Sequence, residues 1–358
     1  MSLSLPLSAP PKSLCILRLS ALGDVTHVLP TLRTLQQHWP QCHITWVIGK
    51  TEASLVNDIP GVEFIIFDKS QGLKAYRELH KKLKNRRFDV LLHMQAALRA
   101  SLASLLIRAD IRLGFDRARA TNGQWLFTNA RIAPLKRQHV LDGFLEFAKA
   151  LGLEPGTLCW DIPIPPEARE AADRMLPDES FLAINPCSSV RARNWRNWSV
   201  ESYAAVIDHA FETHGLHTVL TGGPAANEKA YAEAIVTACR HTPVNLVGRT
   251  TLKQMLAVLD KAAVVIAPDT GPAHMANALG KKVIGLYATS NPERTGPYSH
   301  RELTVNRYPE AIKAEYGKDV EELRWGKRVR NPEAMDDIST AMVIQKLVMA
   351  LEDSKPSC

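Results

Sequence analysis

The chain has 358 residues, enough at roughly 150 residues per domain for about two domains, each with its own core. Hydrophobic residues make up 46% and charged residues 23%, the balance of a globular protein, which excludes collagenous, low-complexity and disordered classes. Formal net charge is +7, but fifteen Lys/Arg against four Asp/Glu fall between Lys74 and Arg137, so the rest of the chain is net negative. Such a basic stretch suits nucleic acid, an anionic membrane surface or an acidic substrate. No apolar run reaches the about 18 residues of a spanning helix. The opening MSLSLPLSAPPKS lacks the positive n-region of a secretory signal, so a cytoplasmic protein is expected. Six scattered Cys without a CxxC pair point to reduced thiols rather than a disulfide framework or zinc knuckle.

Short β-rich apolar runs alternate with amphipathic helical patterns, the signature of parallel α/β sheets. In the first half, strands are expected at 14–19, 43–48, 62–67, 89–93 and 111–115, with helices at 25–38, 73–84 and 140–151. WDIPIPPEA (160–168) reads as an extended linker, because each Pro disfavours helix before it. The second series has strands at 181–185, 217–221, 244–247, 263–267 and 282–287. Helices fall at 201–214, 227–240, 252–261 and from about 272, and the run 337–351 makes a closing helix. Two βα series joined by a Pro linker imply two Rossmann-like domains facing a cleft, where strand-end loops bind ligands.

Four strand ends carry chemistry. The first runs into SALGDVTHVLP (20–30). Asp24 there is either a helix cap, the usual role of Asp at such a turn, or a catalytic acid–base group. His27, a lone His on an apolar helix, reads as structural. GxGxxG and GxxxxGK[ST] are both absent, which argues against a dehydrogenase and a P-loop enzyme. In NPCSSVRARNWRNWSVESY (185–203), the hydroxyls of Ser188 and Ser189 with Arg191, Arg193 and Arg196 can hold a diphosphate. The same passage can instead be a solvated basic loop whose Trp195 and Trp198 anchor the next helix. TGGPAANE (221–228) is a Gly-rich turn with Glu228 placed to accept from a ribose hydroxyl, though Gly-Gly-Pro is also an ordinary turn. In APDTGPAHMANALG (267–280), Pro272 fits a first helical turn, whose open N–H groups and dipole suit a diphosphate. Gly271 permits close approach there, and His274 sits by the same mouth, either at the ligand or as packing. As a residue at a strand end, Asp269 is expected to be replaceable without unfolding. HGLH (214–217) lacks a third ligand, so no metal site is expected.

LSALGDVTHVLPTL (19–32), NPCSSVRARNW (185–195), TGGPAANE (221–228) and DTGPAHMANALGKKVIGLYATSNPERTGP (269–297) together resemble the successive blocks of the bacterial lipopolysaccharide ADP-heptose heptosyltransferases. These are inverting two-domain enzymes of the GT-B fold. The resemblance runs from Ser13 to Leu351, and KSLCILRLSALGDV (12–25) is similar to the OpsX-type heptosyltransferase I branch. It implies an N-terminal acceptor-binding domain over 1–165 and a nucleotide-sugar-binding domain over 166–335. A closing helix within 336–358 would pack back on the N-terminal domain. Carried over by position, Asp24 becomes the general base. Ser188, Ser189 and Arg193 fall at the donor diphosphate, with Arg193 where a Lys is common. Glu228 meets the ribose, Thr250 the adenine and Asp269 the heptose, while Thr270, Gly271 and His274 form the phosphate-binding helix start. YATSNP (287–292) departs from the family's FGPT-like run, and 300–335 carries no motif.

The resemblance thus implies transfer of heptose from ADP-heptose to a Kdo residue of Kdo-lipid A, without cofactor or metal, since fixed cations can meet the diphosphate charge. The partners would be ADP-heptose, Kdo-lipid A and the anionic inner face of the inner membrane. Arg99, Arg112, Arg117 and Arg119, from the basic stretch, are the candidate acceptor-binding residues. Nucleic acid is disfavoured because that stretch has no pattern of stacking aromatics. The alternatives are a transferase adding a later core heptose or using another nucleotide sugar, and a non-catalytic sugar-nucleotide-binding protein.

Overall fold

The computed structural model describes residues 4–188 and 195–352. The chain divides into two compact units, residues 1–163 and 164–358.

The first unit contains β1 (Ser13–Leu17), α1 (Leu22–His38), β2 (His43–Gly49), α2 (Lys50–Val56), β3 (Val62–Phe67) and α3 (Leu73–Leu83). There follow β4 (Arg87–His93), α4 (Leu98–Ser104), β5 (Arg108–Gly114), β6 (Ala130–Arg131) and α5 (Val140–Ala150). All six strands pair in parallel in the order β3-β2-β1-β4-β5-β6. Helices cover both faces of such a sheet, which is why β2 reads ITWVIG and buries every one of those residues. In α1, Val25, Val28, Leu29, Leu32 and Leu35 recur at helical spacing as one buried stripe, which packs against α5.

His93 closes β4 as a fully buried imidazole whose Nε2 lies 3.3 Å from the Ser101 hydroxyl. Burial, with the Arg112 and Arg18 guanidiniums adding to it, pushes this ring down to about 3 from the ordinary 6.5. The unfolded chain therefore takes up the proton first, and stability falls as pH drops below about 6, by roughly 1.4 kcal/mol per pH unit until the folded ring also titrates. Urea unfolding between about pH 6 and 4 should show a shallower pH slope for His93→Gln than for wild type, whatever the variant's own stability. Parallel slopes would remove His93 from the acid response.

The second unit contains α6 (Pro166–Asp173), β7 (Phe181–Ile184), α7 (Val200–His214), β8 (His217–Leu220), α8 (Ala226–Ala238), β9 (Val244–Asn245) and α9 (Leu252–Lys261). It continues with β10 (Val264–Pro268), α10 (Gly271–Ala278), β11 (Val283–Tyr287), α11 (Pro292–Thr295), β12 (Val305–Asn306), α12 (Tyr308–Tyr316) and α13 (Thr340–Glu352). Its strands are again parallel, in the order β12-β11-β10-β7-β8-β9. The Pro-rich passage is extended only as far as Pro165. Pro166 then opens α6 at a position where a missing N–H costs nothing, and the helix lies against α9 with Arg169 2.6 Å from Asp260.

The terminal helix contributes to the core of its own unit. Val343, Leu347 and Ala350 of α13 form one apolar stripe that is buried in the second unit's own core, beside Trp198, Ile266 and Leu286. That stripe packs against α7 and strands β10 to β12 of the same unit. Cys15, Cys42 and Cys187 are buried free thiols, and burial pushes Cys187 up to about 12, so it is protonated at neutral pH.

Candidate active site

Both sheets share one strand order, and in each it reverses between two central neighbours, β1 with β4 and β7 with β10. At such a reversal the loops leaving the two strands diverge to opposite faces and open a crevice at their C-terminal ends, where ligands bind. Asp24 follows β1 and Asp269 follows β10, so each candidate acid stands at the switch point of its own unit.

In the first unit Ala21, not Asp24, is the N-cap of α1. Asp24 lies three residues on, where its carboxylate accepts from the Ala21 backbone N–H at 3.3 Å and pairs with the Arg18 guanidinium. Arg18 is nearly buried, whereas the Asp24 side chain is 34% exposed. The guanidinium is itself fixed: it donates to the Met94 carbonyl at 2.6 Å and lies 5.2 Å over the Phe144 ring. Gln95 completes the frame by accepting from the Leu19 N–H at 2.7 Å and donating to the Ser20 hydroxyl at 3.1 Å. A reachable carboxylate is thus held in one orientation by groups just beyond the C-terminal ends of β1 and β4. His27, as expected, is internal, its ring edge-on to His139 at 5.2 Å.

Gly49, where β2 meets α2, backs this loop. Its N–H donates to the Leu19 carbonyl at 3.1 Å, and a Cβ there would stand only 2.2 Å from that same oxygen. Gly49→Ala must therefore displace the Leu19–Asp24 loop. Since a shift of about 1 Å at reacting groups can cost up to ~10²-fold in rate, the variant should lose kcat at least tenfold with ADP affinity unchanged by calorimetry. Wild-type turnover in a folded Gly49→Ala protein would show that the loop tolerates the shift.

In the second unit Asp269 is buried rather than open at its strand end. Arg196 Nη1 donates to its carbonyl at 2.6 Å and to its Oδ2 at 3.2 Å. Arg328 lies 3.5 Å from Oδ2, and His274 Nε2 is 3.8 Å from Oδ1. Burial opposes ionisation, yet the His274 ring and the two guanidiniums outweigh it and hold the carboxyl far below the usual range. Arg196 is almost as buried as its partner, while Arg328 is 44% exposed. One acid against two arginines leaves a surplus positive charge at the start of α10. The cap residue there, Thr270, makes no side-chain capping bond, and its buried hydroxyl has no partner among the described residues. Pro272 occupies the first turn, as its missing N–H allows.

The flanking loops complete this edge. Glu228, in the first turn of α8, accepts from the Gly223 N–H at 2.6 Å, and a Cβ on Gly222 or Gly223 would press on its carboxylate. The backbone N–H of Ser188 donates to Asn197 Oδ1 at 3.1 Å. Trp198 is buried edge-on to Tyr203 and donates to the Ile338 carbonyl at 2.8 Å, so it does anchor α7 while Arg196 turns to the site. Thr250, just before α9, has a buried hydroxyl without a partner among the described residues. Ser189 and Arg193 lie outside the described residues.

Residues 76–323 match glycosyltransferase family 9 (heptosyltransferase). The chain belongs to that family. It is also 41% identical over 338 residues to the lipopolysaccharide core heptosyltransferase OpsX of Haemophilus influenzae, across 94% of this chain and 96% of that one. Two solved structures are similar in fold. One is the family 9 glycosyl transferase of Veillonella parvula (TM-score 0.78, 24% identity, covering 96% of this chain and 98% of that one). The other is E. coli heptosyltransferase WaaC with ADP (TM-score 0.72, 20% identity, covering 94% and 99%). The α/β fold is therefore that of the GT-B heptosyltransferases, and the protein is a glycosyltransferase.

For this heptosyltransferase the four arginines of the basic stretch separate into two kinds. Arg112 is turned inward, donating to the carbonyls of Ile107, Phe127 and Ser104 at 2.6, 2.9 and 2.9 Å. Arg119 pairs with buried Asp116 and donates to Gln138 and to the Ala133 carbonyl. Both guanidiniums serve the fold. Arg99 and Arg117 are exposed, the latter stacked 5.5 Å over Trp125. Residues the motifs did not single out are Arg18, six positions before Asp24, and Arg328, from the stretch that carries no motif. Arg328 is held at the site because the Tyr316 hydroxyl donates to its carbonyl at 2.9 Å and the next residue, Val329, donates to Thr289 at 3.1 Å.

Proposed function

We propose that this heptosyltransferase moves heptose from ADP-heptose to a Kdo residue of Kdo-lipid A, by a single inverting displacement at the cytoplasmic face of the inner membrane. The observation that carries the reading is the fixed, partly exposed carboxylate of Asp24 at the first sheet's switch point; the second sheet's switch point carries, in its own unit, a cationic helix start. In the proposed step Asp24 takes the proton of the acceptor hydroxyl as that oxygen bonds to the anomeric carbon. The bond from that carbon to the diphosphate breaks, and ADP leaves with its electron pair. Arg328, the N–H groups opening α10, and Ser188, Ser189 and Arg193 would meet the diphosphate charge, so no metal is required. Glu228 and Thr250 would receive the ribose and adenine. Asp269 would hold Arg196, Arg328 and His274 in place beside the heptose. Arg99 and Arg117 remain as acceptor-binding candidates facing Kdo carboxylates and lipid A phosphates.

The relative's name supports a lipopolysaccharide core substrate, and the E. coli heptosyltransferase structures with ADP and with ADP-2-deoxy-2-fluoro heptose support the donor. The test is incubation of the purified protein with ADP-heptose and Kdo-lipid A, reading the product by mass spectrometry and its anomeric centre by NMR. One added heptose with inverted configuration is expected. Transfer only to an acceptor that already carries heptose would move the enzyme to a later core position, and transfer only from another nucleotide sugar would overturn the donor.

A further inference from the structure

We propose that the outward face of α4, with the 3-10 turn Thr121–Leu126 beside it, is a docking surface for an anionic lipid bilayer. The helix is built inside out. Its inward residues are small: Ala100, Ser101, Ala103 and Ser104 are buried, and both alanines join the core cluster under the sheet. Leu98 and Leu102, with Leu105 at the C-cap, recur at helical spacing on the opposite side and are 43–61% exposed. A helix needed only to cover the sheet would turn its leucines inward, where removal from water gains most.

The neighbouring turn extends this face with Trp125 and with Leu126, which is 68% exposed. It is fastened to α4 at both ends. The Thr121 hydroxyl and the Asn122 amide donate to the Ala96 carbonyl at 2.9 and 3.3 Å. Arg112 bridges Ser104 and Ile107 to Phe127. Contiguous exposed apolar area of this kind marks an interaction site on a soluble protein.

Charge decides what covers it. Arg99, Arg108, Arg117 and Arg131, which lie within or next to these segments in the chain, are exposed, and Arg117 stacks on Trp125. Between Arg99 and Arg131 the acids are Asp110, paired with Arg87, and Asp116, paired with Arg119. Apolar side chains ringed by cations complement acyl chains under phosphate headgroups. A second copy of this chain would instead bring the same positive rim against itself. The position also fits: Leu98 follows Gln95, which braces the loop carrying Asp24, so a bilayer on α4 lies at the edge of the sheet where a lipid-anchored acceptor is needed. That last link rests on the proposed acceptor, whereas lipid binding does not.

The test is co-sedimentation of the full chain with vesicles of equal parts phosphatidylglycerol and phosphatidylcholine, and with pure phosphatidylcholine. Wild type should bind the anionic vesicles, more weakly as salt rises, and the triple variant Leu98→Ser, Leu102→Ser, Leu105→Ser should bind them about tenfold more weakly or worse. Its melting temperature and ADP affinity should match wild type, because the replaced side chains face water. Equal vesicle binding by variant and wild type, or indifference of wild type to lipid charge, would overturn the proposal. A concentration-dependent dimer in gel filtration that the triple variant abolishes would assign the face to self-association instead. If ADP-heptose is not the donor while the vesicle pattern holds, the functional reading falls and the docking surface stands.

Discussion

Asp24→Asn is expected to lower kcat by ~10²–10⁴ while leaving ADP affinity within about twofold of wild type. Loss of a general base costs a rate factor of that size. The substitution keeps the volume of the side chain and an oxygen for the Ala21 N–H, so the start of α1 should survive. It removes the negative charge facing Arg18, and some loss of stability is expected because that guanidinium is nearly buried. The residues assigned to the donor all belong to the second unit, which is why ADP binding should not follow. Single-turnover rates together with ADP titration calorimetry check both halves of the expectation. Retention of more than half the wild-type turnover would return Asp24 to a purely structural part, bonding the cap residue of its helix.

Asp269→Ala should be the most destabilising replacement at the site. It removes the carboxylate paired with the Arg196 guanidinium, which is 14% exposed, and breaking a buried ion pair in this way costs about 3–5 kcal/mol. For a unit of this size the melting temperature should fall by on the order of 10 °C. Because the carboxyl is held far below its ordinary range when folded, its stabilisation is fully present above about pH 5. It is lost progressively below that, as acid protonates the unfolded chain first and the folded state last. The gap in melting temperature between wild type and variant should therefore be constant from about pH 5 to 8 and narrow below pH 4. A variant as stable as wild type would restore the expectation, drawn from its place at a strand end, that this acid is dispensable to the fold.

The central strands were legible because both of their faces are covered, which turns them into unbroken apolar runs such as FLAI and VVIAP. Long helices with a single apolar stripe, α1 and α9, were legible for the complementary reason. Helix α4 was not, since its inward residues are Ala and Ser and its leucines face outward, which inverts the usual pattern. Nor was α6, where the Pro that seemed to break the chain instead opens the helix.

At the site, Asp24 and Asp269 were visible at their strand ends and took their roles from the family resemblance, but what surrounds them was not legible. Arg18 meets Met94 across 76 residues and Arg196 meets Asp269 across 73, distances at which sequence alone offers no pairing rule. The basic stretch misled in one respect. Charge can be counted in a sequence, whereas the three backbone carbonyls that occupy Arg112 can only be found in a fold.

The pairing of β1 with β4 also sets when the enzyme can first exist. Leu14 lies opposite Val90, and the groups that orient Asp24 come from both strands, so a nascent chain that has not yet delivered Met94 and Gln95 carries the acid without its frame. The second unit repeats the delay, with Leu182 waiting for Val264. Non-local closure of this kind is slow, and chains of this size fold domain by domain as they emerge. Early folding intermediates of either unit, however compact, are therefore expected to be chemically silent. Activity regained during refolding should report the pairing of each central strand couple rather than the recovery of helix, and should lag behind it.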